Sequence, residues 1–319
     1  MSATPAARTA TNPAAPGGPA AARPAGAPAP AAGARAAGRL GPVALVVAGG
    51  LSVQFGSAVA VLLMPRAGAL GVVTLRLVLA AAVLLIACRP KVRGYGRADW
   101  GTVLAFGAAM SGMNILFYLS VARIPLGAAV TLEVLGPLAL SVIASRRLVN
   151  LLWAGLALAG VVLLSGAHGG GFDRLDPAGA GFALAAGAMW AAYIVFSART
   201  GRRFPQADGL ALAMAVGAVI SLPFGLASAG DKLLDPVTIG LGLGVALMSS
   251  VLPYTLELLA LRRLPAPTFA ILMSLEPAIA ATAGFLVLHQ ALGPADALAI
   301  ALVIAASMGA VRTQVARSR

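Results

Sequence analysis

The chain has 319 residues, 60% of them hydrophobic and only 10% charged, with a mean hydropathy of +0.92. Soluble domains carry about a quarter of their residues charged, and no soluble core of this length hides so much apolar surface, so lipid must solvate much of it. That excludes an ordinary cytosolic enzyme or a nucleic-acid-binding domain, despite a net charge of +13.

Residues 1–39 hold 17 Ala, 7 Pro and 5 Gly, and no Leu, Ile, Val or Phe. Such a stretch cannot build a packed core and is expected to be a disordered tail. It lacks the apolar centre of a signal peptide. From Leu40 the texture changes. Charge-free runs cover 40–65, 100–122, 148–172, 177–198, 209–230 and 236–256. Each is long enough to cross a hydrocarbon core of about 30 Å as a helix. Four further stretches carry one charge each: 70–88 with Arg76, 126–145 with Glu133, 265–288 with Glu276 and 292–311 with Asp296. The sequence therefore predicts an all-α integral membrane protein with ten transmembrane helices.

Loop charges give an orientation. With both termini in the cytoplasm, 18 basic residues fall inside and 4 outside, Arg76 lying within a helix. The outside four are Arg66, Arg123, Arg174 and Lys232. This is the asymmetry of the positive-inside rule and predicts a multi-pass protein of the inner, or plasma, membrane.

The two halves resemble each other at an offset of 140 residues. Arg123, Pro125, Leu132, Leu135 and Pro137 meet Arg263, Pro265, Leu272, Leu275 and Pro277. Five helices per half is an odd number, so the second half enters the membrane inverted. The expected organisation is a first repeat over 40–166 and a second over 177–311. Inverted repeats are a recurrent transporter design, with substrate near the midplane beside broken helices. Pro137 and Pro277 are candidate breaks, each removing a bond to the carbonyl four residues back.

The repeated unit resembles the EamA domain of the drug/metabolite transporter superfamily. Within it, residues 112–140, the SRR at 145–147 and residues 253–281 are similar to the threonine/homoserine exporter group. The pair Glu276-Pro277 matches a motif of many EamA domains, and Glu133 with Gly136-Pro137 matches the exporter group. One position departs: many EamA domains end the equivalent hairpin with Gly-Glu, where this chain has His289-Gln290. The resemblance implies a secondary transporter exporting amino acids such as threonine and homoserine, with protons as coupling ion and alternating access. Export of other small metabolites or drugs, or a non-transporting membrane protein or channel, is the alternative.

Buried charge in hydrocarbon costs about 2.5–3.5 kcal/mol or more, so such residues face a cavity and find partners. Arg76, Glu133, Glu257 and Glu276 qualify. Glu276 lies about 16 Å into its helix, near the midplane, and is the expected proton-linked contact for the substrate ammonium. Arg76 and Glu133 lie at matching depths of roughly 9–10 Å and are expected to form an ion pair. Asn114 and Tyr118 are an i,i+4 pair, Trp190 and Tyr193 an i,i+3 pair, and Tyr254 is the counterpart of Asn114. These nine residues are the candidate substrate site, with Gln54 offering a neutral hydrogen bond. Cys88 has no partner in the sequence for a disulfide, and no Cys/His cluster has metal spacing. No cofactor is expected and no nucleic acid; the partners are a small-molecule substrate, protons, the bilayer and, as one arrangement, a second copy in a homodimer.

Overall fold

A computed structural model describes residues 32–145, 149–164, 175–204, 207–261, 269 and 272–315. The chain divides into two units, Met1–Gly38 and Arg39–Arg319, and the apolar helices belong to the second. Of the expected tail, residues 1–31 lie outside the described residues, and helix begins at Ala32. Arg146, Arg147, His168, Arg174, Arg262, Arg263 and Pro265 also lie outside them.

Among the described residues all regular structure is helical. In chain order the helices are α1 (Ala32–Cys88), α2 (Arg97–Val121), α3 (Leu126–Glu133), α4 (Leu135–Ser145), α5 (Val149–Leu164), α6 (Pro177–Gly201), α7 (Asp208–Ala229), α8 (Pro236–Ala246), α9 (Leu252–Leu261), α10 (Glu276–Leu288) and α11 (Pro294–Val315). Six of the apolar stretches are long enough to cross a membrane, from Gly41–Cys88 to Pro294–Arg312. Three shorter apolar helices accompany them, over Leu126–Leu140, Leu152–Leu163 and Glu276–Leu288.

α1 is two helices in one. Gly68 sits inside it at φ 67, ψ 167, a positive-φ conformation that glycine adopts without steric cost. The 48 residues from Gly41 would run about 72 Å if straight, more than twice the hydrocarbon thickness, so the break is required.

α2 packs along α6 and α7, and α5 along α11. Two ion pairs show that α2 and α6 are antiparallel: Arg123 beyond the end of α2 meets Asp176 before α6 at 3.1 Å, while Asp99 at the start of α2 meets Arg203 beyond α6 at 2.5 Å. A third pair, Arg66 to Asp235 at 3.7 Å, joins the α1 break to the start of α8. Asp176 and Asp235 each precede a proline and cap the helix that follows, accepting from Ala178 N at 3.1 Å and Thr238 N at 2.9 Å. The Arg123 bond, then the Ala178 amide, hold the Asp176 carboxyl below its usual range. The two Thr238 bonds do the same for Asp235, with Arg66 adding a smaller pull.

The region of Pro137 departs from regular helix. α3 ends at Glu133, Val134 is a turn, and α4 resumes at Leu135. The same feature recurs 140 residues on, where Ser274 and Leu275 form a turn before α10. The first break lies against α6 with no side chain between. A Cβ built on Gly187 would stand 2.5 Å from the Glu133 carbonyl oxygen, and one built on Gly136 would run into Gly187. Small residues allow this approach, as in other membrane bundles.

His289 and Gln290 have separate structural roles. His289 closes α10 in the left-handed conformation at φ 53. Gln290 Oε1 accepts from the Leu126 amide at 3.1 Å, capping the start of α3. Gln290 thus ties the end of α10 to the start of α3.

Candidate functional site

The breaks, the two halves of α1 and the helices α2, α6 and α9 enclose a cavity of about 130 Å³. Eight of the nine residues expected from the sequence line it. Glu133 is the last residue of α3 and Glu276 the first of α10, so each acid sits at a helix break, 8% and 7% exposed. Glu257 joins them from α9. Among the described residues no ion pair reaches any of the three carboxylates, although the cavity also holds Arg76.

The expected Arg76–Glu133 ion pair does not form. Arg76, 5% exposed, directs its donors elsewhere: Nε donates to Ser250 Oγ at 3.0 Å, one terminal nitrogen to the Ser249 carbonyl at 2.8 Å, and the other to Tyr118 OH at 3.2 Å. Its guanidinium also lies 5.6 Å from the centre of the Tyr118 ring. Matching depth is enough to bring both groups to one cavity. It does not set their direction around the helix axes, and the Ser249 carbonyl, four residues before Pro253, competes for the guanidinium.

Tyr118 is the expected residue that does not line the cavity. It is fully buried behind Arg76 and acts as that residue's acceptor. Asn114, one turn earlier, does line it, and its amide donates to the Met110 carbonyl at 2.8 Å. Gln54 lines it too; its Oε1 is buried and has no hydrogen-bond partner among the described residues. A buried acceptor left so costs about 1–3 kcal/mol, which a bound solute or water recovers.

Trp190, Tyr193 and Tyr254, with Phe117, supply the aromatic wall. Tyr193 packs on Phe106 with ring centres 5.1 Å apart. A second cavity, of about 190 Å³, reaches toward Thr200, Phe204 and Leu210. Tyr193, Tyr254 and Glu257 line both cavities and so stand between them.

Sequence reasoning missed Ser57, Met113, Ser249 and Pro253 in this wall. The signal for Ser249 was present. Pro253 has no amide proton, so the carbonyl four residues back needs another donor, the same argument that singled out Pro137 and Pro277. Among the described residues no group of His, Cys, Asp or Glu is placed to hold a metal ion.

A multi-pass helical membrane protein that encloses a small cavity of opposed charges belongs to the class of solute transporters. The comparisons specify which. Residues 177–312 match the model of the EamA-like transporter family. The threonine/homoserine exporters RhtA of Escherichia coli (strain K12) and Salmonella typhimurium (strain LT2) are each 40% identical to the chain over 272 residues. The match covers 85% of this chain and 92% of each relative. A solved crystal structure shares the fold at a TM-score of 0.55 and 22% identity, over 86% of this chain and 97% of that one. The chain is a member of the EamA-like transporter family. Its curated relatives are named as exporters, not as enzymes.

Proposed function

We propose that the chain exports threonine and homoserine across the inner membrane in exchange for protons. The observation that carries this reading is the cavity: three carboxylates, one guanidinium and an amide oxygen with no partner among the described residues, around about 130 Å³. An amino acid presents an ammonium, a carboxylate and, in these two substrates, a hydroxyl. Glu276 takes the ammonium, with Glu133 and Glu257 beside it. The substrate carboxylate lies toward Arg76, whose five N–H groups exceed the three bonds it makes. Gln54 Oε1 accepts from the hydroxyl. Asn114, Trp190, Tyr193 and Tyr254 complete the wall, and Tyr118 holds Arg76 from behind. Drug-sized ligands occupy pockets of about 300–1,000 Å³, so the volume favours a small metabolite over a drug.

Glu276 couples the two fluxes by binding either a proton or the ammonium. Protonation from outside releases the substrate; loss of that proton toward the cytoplasm readmits the next. The partition of Tyr193, Tyr254 and Glu257 between two cavities supports alternating access, with the second cavity on the cytoplasmic side.

The same reading takes the chain as ten helices in two inverted repeats, 40–166 and 177–311, with both termini in the cytoplasm. The break at Gly68 and the three shorter apolar helices support the count. The equivalent turns at Val134 and Ser274 support the repeat. The ion pairs support its inversion. Asp99 opens the third helix of one repeat and meets the loop after the first helix of the other, at Arg203; Asp235 and Arg66 make the same pairing with the repeats exchanged.

Counterflow in proteoliposomes tests the substrate. Vesicles loaded with unlabelled threonine or homoserine should accumulate labelled threonine, and vesicles loaded with valine or a cationic dye should not. Equal accumulation with every load, or with none, overturns the assignment.

A further inference from the structure

The helix that runs from α8 to α9 is interrupted, and α1 closes the interruption. Residues Leu247–Val251 form a π-turn, in which the Leu252 amide reaches back to the Leu247 carbonyl. The next residue, Pro253, has no amide proton. The two carbonyls within its reach, those of Met248 and Ser249, are therefore short of a backbone donor. Each receives a side-chain donor from a different half of α1. Ser52 Oγ donates to the Met248 carbonyl at 2.6 Å, and Arg76 donates to the Ser249 carbonyl at 2.8 Å. Arg76 Nε adds a bond to Ser250 Oγ in the same turn. Gly56, one helical turn from Ser52, lies close enough that an added Cβ would stand 3.0 Å from Met248 and Ser249.

Tyr254 and Glu257 follow the break directly, one turn apart on α9, and both stand between the two cavities. In hydrocarbon an unsatisfied carbonyl is costly, so the donors that fill it fix where the following helix points. We propose that Arg76 is a positioning residue of the transport cycle: with Ser52 it holds the Pro253 break and thereby sets Tyr254 and Glu257 in the partition between the cavities. This role rests on the transport reading above; the bonds themselves do not.

A double-mutant cycle tests it. Arg76→Lys keeps the charge but offers a point donor that cannot span Ser249, Ser250 and Tyr118 together. Pro253→Ala returns the missing amide proton. Thermal unfolding in detergent and counterflow with threonine and threoninol, which lacks the carboxylate, are measured for wild type, both single variants and the double variant. Arg76→Lys should lower the maximal rate for threoninol, which has no carboxylate to meet Arg76, as well as for threonine, by roughly tenfold, and lower the unfolding midpoint. In the Pro253→Ala background both losses should shrink. Ser52→Ala gives the same cycle with a milder perturbation, should Arg76→Lys not fold. Losses of equal size with and without Pro253→Ala overturn the proposal, and if they fall on threonine alone Arg76 is a substrate contact only. Because the unfolding cycle does not depend on transport, it still decides for or against the hold on the break if no variant, wild type included, moves threonine.

Discussion

Gly187→Ala places a methyl group where α6 meets the break after Glu133. Its Cβ would stand 2.5 Å from the Glu133 carbonyl oxygen and 3.2 Å from the Gly136 amide nitrogen, both backbone atoms that no rotamer change can move. Real Cβ contacts essentially never fall under 3.0 Å, so α6 or the α3–α4 break must shift. Overpacking of this kind costs about 1–3 kcal/mol. Gly181 is a control on the same helix, because a Cβ there meets nothing within 4 Å. Replacing glycine by alanine raises helix propensity at both positions by up to about 1 kcal/mol, so the difference between the variants isolates the collision. Unfolding in detergent should show Gly181→Ala at or above wild type and Gly187→Ala below it by several degrees. Transport should fall in Gly187→Ala as well, since the displaced segment carries Glu133. Equal midpoints for the two variants would refute the close approach and, with it, the account of how the break is packed.

Three further outcomes rest on the same geometry. Glu276→Gln should fold with equal or greater stability, because a charge at depth costs about 2.5–3.5 kcal/mol and the start of α10 offsets about 1 kcal/mol of that; efflux and its pH dependence should vanish, and a variant that keeps both shows the carboxylate to be structural. His289→Gly should raise the unfolding midpoint, relieving a left-handed non-glycine residue worth about 1 kcal/mol; a marked loss would show that the imidazole has a packing role. In a Cys88→Ser background, an impermeant thiol reagent applied from outside should label Lys232→Cys and not Lys91→Cys, two exposed positions between apolar helices, and the reverse pattern contradicts the orientation.

The sequence made the spans legible because lipid forbids charge, so runs such as 209–230 show their bounds directly. Pro137 and Pro277 announced the breaks at Val134 and Ser274. Asp176-Pro177 and Asp235-Pro236 are equally plain helix starts. Depth could be counted along each helix, and it put Arg76, Glu133 and Glu276 within the span; Glu257, counted only four residues from the inner end of its helix, nonetheless lines the same cavity. Rotation about the helix axis could not be counted. Arg76 therefore turned to Ser250, 174 residues away, rather than to Glu133, and Tyr118 turned behind it rather than into the cavity. The π-turn that presents the Ser249 carbonyl has no periodicity of its own in the sequence. Only the missing amide of Pro253 points to it.

Threonine efflux under an imposed proton gradient tests the central claim most directly. Proteoliposomes loaded with labelled threonine are diluted into acidic or matched buffer, with wild type and Glu276→Gln side by side and a protonophore as control. Wild-type efflux should accelerate when the outside is acidic, homoserine in the load should compete, and both the protonophore and Glu276→Gln should abolish the acceleration. Efflux that is indifferent to the gradient, or identical in the two proteins, would contradict a proton-coupled amino acid exporter working through Glu276.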